Sequence, residues 1–267
     1  MSMSTAPGWE KWAAWNEQQQ RRIVEWLVDH AEVRVGHTVL DLASGVGQPA
    51  IEAARRGARV IATDIAADML AGCARRAKAS DVSLELRELD MHDLRAIADS
   101  SIDSVTCSFA LMFSPDPVRV MGEVHRVLKP GGAFALAVWD EPTKNPYFTT
   151  LVGALSQFVS MPPPSPDAPG PFRLSAPGEL ERVIRAARFP QVTVEPVQSP
   201  YVFDSTDQHF EVAVDMAAPV KRAVAGMTPA QIAELRTVLA TALAPFRTGT
   251  GEQLSILTTP LCASGRK

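Results

Sequence analysis

Between residues 38 and 139, short apolar runs alternate with amphipathic stretches, and the pattern changes over at glycine, aspartate or proline. The runs at 38–43, 58–63, 82–88, 102–108 and 133–139 are short, draw their apolar positions chiefly from Val, Ile, Leu and Ala, and read as strands. Between them, 49–56, 66–79 and 117–128 read as helices, with a shorter one near 93–98. Lys129-Pro-Gly-Gly132 reads as a turn that stops one helix and feeds the next strand. Strands interleaved with helices predict a parallel, doubly wound α/β sheet covered on both faces.

The flanks differ in texture. Residues 9–30 read as one amphipathic helix, with Trp12, Trp15, Ile23, Trp26 and Leu27 on one face and Glu10, Glu17, Arg21 and Arg22 on the other. After Trp139 the chain becomes proline-rich, including Pro162-Pro163-Pro164. Helix is expected again at 176–188, 205–225 and 229–245, strand at 191–197, and a closing strand at 254–262. Strands ending near Asp140 and Val197, taken as parallel, release the segments that follow them at the carboxyl edge, where open α/β sheets bind ligands. The inserts 140–175 and 200–248 are therefore expected to form a lid. Its large side chains, Met161 among them, favour a hydrophobic or aromatic small molecule over a sugar or phosphate ester.

Composition narrows the partners. A chain of 267 residues, 46% hydrophobic and 21% charged, is ordinary for a globular protein, and a net charge of −4 exerts no general pull on phosphate backbones, so nucleic acid is not expected. Cys73, Cys107 and Cys262 lie far apart without metal-ligand spacing, so neither a metal nor a disulfide framework is expected. No apolar run is long enough to span a bilayer, and residues 1–10 lack targeting character, which makes a cytoplasmic enzyme the expectation, monomer or homodimer.

The chemistry gathers at strand ends. Residues 38–48 form a strand, a Gly45-x-Gly47 turn and Pro49 at a helix start, the opening of a nucleotide-binding βαβ unit. Asp64 ends the second strand, where a carboxylate accepts from a ribose diol, a feature of nicotinamide dinucleotides and of S-adenosylmethionine (SAM) alike. Asp41 discriminates: beside the turn it repels a pyrophosphate and suits the ammonium of a methionine moiety. Asp90 suits the exocyclic amine of adenine.

These residues stand in motifs. Val39-Leu-Asp-Leu-Ala-Ser-Gly-Val-Gly47, Ala62-Thr-Asp-Ile65 with Met69-Leu70, Leu89-Asp-Met91, Ser101-Ile-Asp-Ser-Val105 and Val127-Leu-Lys-Pro-Gly-Gly132 occur in order. The stretch 36–140 thereby resembles the class I SAM-dependent methyltransferases, most closely the UbiE/COQ5-like and small-molecule group. The resemblance implies a Rossmann-like seven-stranded sheet with an antiparallel last strand. It also implies that Ala43, Gly45 and Gly47 line the methionine end of the cofactor, Asp64 the ribose, and Ile65, Asp90 and Met91 the adenine, with Ser108 and Phe109 toward the sulfonium. Gln48 and Met69 fall within the same cofactor set. Ser44 stands where many members have Cys, and Gln48 where Thr or Ser is frequent. With this core the chain divides into an N-terminal cap at 1–35, a SAM-binding core at 36–140, a lid insertion at 141–175, core continuation at 176–199, a helical lid at 200–248 and a final core strand at 249–267.

The expected reaction is methyl transfer to a small, hydrophobic or aromatic metabolite through O, N or C. His209, Tyr147 and Asp140 are the candidate proton acceptors, and Trp12, Trp15, Phe113, Trp139, Phe148, Phe172 and Phe210 the aromatic side chains expected to meet the acceptor. No Asn/Asp-Pro-Pro-aromatic run follows the fourth strand and no Pro-Cys pair occurs, so base-amine and cytosine C5 chemistry are not expected. The alternatives are a nicotinamide-dependent oxidoreductase and a SAM-binding protein of this fold that does not methylate.

Overall fold

A computed structural model describes residues 5–160, 165 and 168–267; Met161 and the Pro162-Pro163-Pro164 run lie outside the described residues. The chain forms two units. The larger comprises Gln20–Asp140, Pro166–Val197 and Pro260–Lys267, and the smaller Met1–Gln19, Glu141–Ser165 and Gln198–Thr259.

The larger unit is built on β1 (Thr38–Leu42), β2 (Arg59–Asp64), β3 (Glu85–Glu88), β4 (Ile102–Ser108), β5 (Leu128–Trp139), β6 (Gln191–Pro196) and, from the end of the chain, β9 (Pro260–Arg266). Their order in the sheet is β3-β2-β1-β4-β5-β9-β6. β1 to β5 are parallel, while β9 runs antiparallel to both β5 and β6. This is the expected seven-stranded Rossmann-like sheet with its antiparallel last strand. The central strands are mostly buried because helices cover both faces. On one face Ile23, Leu27 and Val28 of α2 (Ala13–His30) and Ala50 and Ala53 of α3 (Ala50–Arg55) form a core with Val39, Val60, Ala62, Ala135 and Ala137. On the other, Val120, Met121 and Val124 of α5 (Pro117–Val127) lie against Leu42, Val105 and Phe134. Asp116 caps α5, its carboxylate accepting from the Arg119 N–H at 3.0 Å, and Pro117 occupies the first turn, where its missing N–H costs nothing. The remaining helices of this unit are α4 (Ala67–Ala79) and α7 (Glu179–Ala186).

The smaller unit holds α1 (Ala6–Lys11), the first turns of α2, α6 (Pro146–Leu155), α8 (Thr206–Met216), α9 (Ala218–Ala225) and α10 (Pro229–Leu243), with a hairpin of β7 (Ser199–Phe203) and β8 (Leu254–Thr258). Gly8 brings α1 onto α8 so closely that a Cβ there would stand 2.1 Å from the Asp215 carbonyl oxygen. The fully buried amide of Asn145 accepts from the Thr259 N–H (2.9 Å) and donates to the Thr259 and Glu141 carbonyls, tying together two of the points where the chain enters or leaves this unit.

Several expected elements are corrected. The closing strand is two strands: β8 pairs with β7, and only β9 joins the main sheet. The helix expected at 205–225 breaks at Ala217, which is extended, ahead of Pro219. The N-terminal helix breaks at Trp12. Residues 93–98 form turns, with Asp93 bonding its own local backbone and Arg95 instead of a helix. The third strand begins only at Glu85, after Asp81 in a left-handed turn. Lys129-Pro-Gly-Gly132 lies inside β5 as an irregularity in its pairing with β4, Gly131 holding φ +79°.

Candidate functional site

At the carboxyl ends of β1, β2 and β4 the larger unit concentrates its polar chemistry. Ala43 (φ +51°) and Gly45 (φ +52°) turn the backbone out of β1, and Gly47 (φ +113°) turns it into α3. A Cβ on Gly47 would meet Ile51 Cδ1 at 2.8 Å, whereas one on Gly45 would meet nothing within 4 Å. Gly47 is therefore needed for packing, and Gly45 borders open space.

The turn is wired to the neighbouring strand. The Gly45 N–H donates to Asp64 Oδ2 (2.9 Å) and the Gly47 N–H to the Ser44 carbonyl (2.8 Å). Ser44 exchanges bonds with Thr63, its N–H donating to the Thr63 carbonyl (2.7 Å) and its Oγ accepting from the Thr63 N–H (3.1 Å). Asp64 Oδ1 takes the Ala66 N–H at 2.9 Å, which fixes the entry to α4. Both oxygens of Asp64 keep a second lone pair for a donor from outside.

Asp41 is fully buried between strands. Its Oδ1 accepts from the Thr106 hydroxyl at 2.7 Å, and its Oδ2 has no hydrogen-bond partner. Burial pushes this carboxyl up to about 7, outweighing the Thr106 hydroxyl that favours the anion. Gln48 Oε1 is a second buried oxygen without a partner. Two unsatisfied acceptors beside one turn suit a ligand that brings donors and positive charge.

Asp90 follows β3. Its Oδ1 accepts from the His92 N–H (2.8 Å) and lies 2.6 Å from the ring Nδ1; the first of these is the stronger influence holding the Asp90 carboxyl below its ordinary range. Met91 and Met69 are partly buried, and Ile65 is an exposed apolar side chain at 69%. Beyond β4, Phe109 takes φ +54°, its N–H bonded to the Ala137 carbonyl (2.8 Å), and stacks on Trp139 with ring centroids 4.3 Å apart. Ser108 is partly buried, Phe113 is half-exposed, Phe172 is partly buried, and Asp140 is buried at the end of β5.

The other expected residues lie in the smaller unit. Trp12 Nε1 donates to Asp215 Oδ2 (2.8 Å) and Trp15 Nε1 to the Val202 carbonyl (2.9 Å). Tyr147 packs with Phe148, Tyr201, Phe203 and His209. His209 is fully buried, Nε2 at 3.3 Å from the Tyr147 carbonyl and Nδ1 without a partner; burial pushes the imidazole down to about 4 and the Tyr147 phenol up. Phe210 is buried beneath the Arg236 guanidinium, 4.4 Å from its ring centroid.

Thr106 on Asp41 and Ser44 as the strut between β1 and β2 carry no signal for those roles in the sequence, whereas His92, which follows Asp90 in an Asp-x-His spacing suited to a local side-chain-to-backbone turn, reads there as a loop residue or a cofactor contact. Among the described residues, no group of His, Cys, Asp and Glu side chains is placed to hold a metal, and no helix is long and apolar enough to cross a membrane.

The sheet order and the glycine turn define a class I SAM-dependent methyltransferase fold, and sequence comparison agrees: residues 40–136 match the model of a methyltransferase domain. The chain thus carries a methyltransferase domain at residues 40–136, on a sheet of class I SAM-dependent methyltransferase order. Among particular proteins, it is 34% identical over 155 residues to a demethylmenaquinone methyltransferase of Paenarthrobacter aurescens, covering 56% of this chain and 59% of that one. The chain thus matches only about half the length of such curated relatives. A putative methyltransferase from Bacillus halodurans superposes with a TM-score of 0.60 at 18% identity, over 91% of this chain and 98% of the other. The [4+2]-cyclase SpnF superposes with a TM-score of 0.56 at 19% identity, over 92% and 80%. At those identities the likeness is one of fold.

Proposed function

We propose that the protein transfers the methyl group of SAM to a small hydrophobic or aromatic metabolite. The observation that carries the reading is the state of the glycine turn. In a dinucleotide site the turn's N–H groups face a pyrophosphate; here the Gly45 and Gly47 N–H groups are already engaged within the protein and Pro49 has none, while Asp41 Oδ2 and Gln48 Oε1 wait for donors. Those acceptors fit an ammonium and oppose a phosphate.

When bound, the sulfonium supplies an intrinsically reactive methyl group, so the protein's tasks are orientation and exclusion of water. Asp41, with Gln48, takes the ammonium end, Gly45 leaves room for the chain that carries it, Asp64 accepts from the ribose diol, and Ile65, Met91 and Asp90 take the adenine. Ser108 and Phe109 are assigned to the sulfonium region, where the partly exposed Phe109 ring, backed by the buried Trp139, offers aromatic surface for a cation and for a flat acceptor. Similarity to a demethylmenaquinone methyltransferase supports an acceptor of that general kind. Asp140, next after Trp139, is the proton acceptor we assign to this unit for a phenol or alcohol; His209 and Tyr147 are assigned to packing of the smaller unit.

Calorimetric titration with S-adenosylhomocysteine and with NAD tests the cofactor. Binding of the former alone is expected, and preference for NAD overturns the reading. Methyl-labelled SAM incubated with phenols, quinols and amines then tests transfer: label should move to a ring-bearing acceptor, and label that stays on SAM throughout identifies a binding protein that does not methylate.

A further inference from the structure

The loops after β3 and β4 are joined by a line of hydrogen bonds: Asp90 Oδ1 to His92 Nδ1 at 2.6 Å, then His92 Nε2 to Ser114 Oγ at 2.7 Å. Because a carboxylate can only accept, Nδ1 carries the ring proton, and in the neutral ring the Ser114 hydroxyl donates to Nε2. The Asp116 N–H completes the line by donating to Ser114 Oγ at 3.0 Å, and the Arg119 Nε donates to the His92 carbonyl at 3.0 Å. Carboxylate, imidazole and hydroxyl in sequence have the connectivity of a nucleophilic triad. Ser114 excludes that use: it is 0% exposed, and its oxygen is held by a backbone amide.

What the line does is hold Asp90. The carboxylate lies on an open loop with its side chain 47% exposed, and both His92 donors converge on one of its oxygens, leaving Oδ2 outside the line. An unrestrained carboxylate there would have to be ordered by each incoming ligand; one already fixed loses less on binding. We propose that His92, backed by Ser114, is a positioning residue for purine recognition, turning Asp90 so that Oδ2 accepts from the 6-amino group of the nucleoside cofactor. The proposal rests on the SAM reading above. It also gives the site a specificity, because a 6-oxo purine would set its carbonyl oxygen against the same fixed carboxylate.

The test compares S-adenosylhomocysteine with its 6-oxo counterpart, S-inosylhomocysteine, by calorimetry on the wild type, His92→Ala, His92→Asn and Ser114→Ala. His92→Ala should weaken the adenosyl ligand about tenfold, the scale of one hydrogen bond to a charged group, and leave the inosyl ligand within about twofold, so that the preference narrows. His92→Asn, which keeps a donor near the Nδ1 position, should recover most of the preference, and Ser114→Ala should lose about threefold of it. A merely structural His92 would weaken both ligands alike, and that outcome, or an unchanged preference in His92→Ala, overturns the proposal. The ligand-free protein provides a second readout: a low-field Nδ1–H proton resonance that disappears in His92→Ala, whose absence from the wild type also overturns it. A wild type that binds neither nucleoside removes the cofactor reading itself, whereas a wild type that prefers the adenosyl ligand equally with and without His92 removes this inference alone.

Discussion

Asp41 in the larger unit and His209 in the smaller are both buried titratable groups with one polar atom lacking a partner. Their surroundings differ. Asp41 sits at the tip of β1, held from one side by Thr106, beside a turn where Gly45 borders open space. His209 is enclosed by the rings of Tyr147 and Phe203, with centroids at 5.4 and 4.9 Å, and its one bond goes to a backbone carbonyl. We read the unsatisfied atom next to a turn that opens onto space as a place for a ligand, and the one enclosed by aromatic rings as part of the packing. Burial acts on both, and acts oppositely on acid and base, which makes the contrast measurable.

The Asp41 carboxyl is raised from 3.8 to about 7, so the folded state binds the proton more tightly than the unfolded chain does. Its contribution is fully present below pH 3.8 and is lost as pH rises toward 7, on the order of 4 kcal/mol across that window. Asp41→Asn, still able to accept from Thr106, should therefore stabilise the ligand-free protein near pH 7.5 and weaken S-adenosylhomocysteine binding. In the wild type the ligand's ammonium relieves the buried anion, so the ligand-induced rise in Tm should be larger at pH 8 than at pH 5. Denaturant melts and thermal shifts at the two pH values check this; a variant that gains no stability and binds normally breaks the contrast.

His209 has the other sign. Its imidazole is lowered from 6.5 to about 4, so its contribution is present above pH 6.5 and lost as pH falls toward 4, on the order of 3 kcal/mol. His209→Phe should flatten the acid side of the stability profile in the pH 4–6.5 interval and leave nucleoside affinity within about twofold. A large loss of methyl transfer with affinity and stability intact would return His209 to the chemistry.

Asp64→Ala comes next in size. One hydrogen bond to a charged group is worth roughly 1.5–3 kcal/mol, so nucleoside affinity should fall about tenfold to a hundredfold. The same substitution frees the Gly45 and Ala66 N–H groups, so a drop in Tm should accompany it. Asp64→Asn, which retains an acceptor oxygen, separates the two effects: stability should recover further than affinity does.

Most of the sheet was legible because its strands are short stretches whose apolar positions are chiefly Val, Ile, Leu and Ala and its turns carry glycine and aspartate, signals that depend on local chain physics. Asp41, Asp64 and Asp90 could be singled out for the same reason, each being the aspartate at or just beside the end of a strand. What escaped was set by tertiary pairing. Nothing local distinguishes β8 from β9, which form one apolar stretch until Thr259 separates them and β7 claims the first half. Thr106 reads as an ordinary strand residue until the β1–β4 register puts it opposite Asp41. The tryptophans could be seen as an apolar stripe, but the destination of each indole N–H depends on segments about two hundred residues away.

Trp12 gives the smallest expected effect and tests the smaller unit most directly. Its Nε1 donates to Asp215 Oδ2 at 2.8 Å, and Lys11 Nζ reaches the same oxygen at 2.9 Å. Trp12→Phe removes one donor and leaves the carboxylate paired, so a loss of about 1 kcal/mol is expected, a few degrees in Tm for a chain of this size. Asp215→Ala should cost more, since it leaves both Trp12 and Lys11 without that acceptor. If the tie to Asp215 is the whole of Trp12's role, kcat/KM for the identified acceptor changes no more than stability does, and Asp215→Ala follows the same proportion. Should Trp12→Phe instead depress kcat/KM tenfold or more at temperatures where the protein remains folded, the ring contacts the acceptor, and the division between a ligand-facing unit and a self-packed one does not hold at the N-terminus.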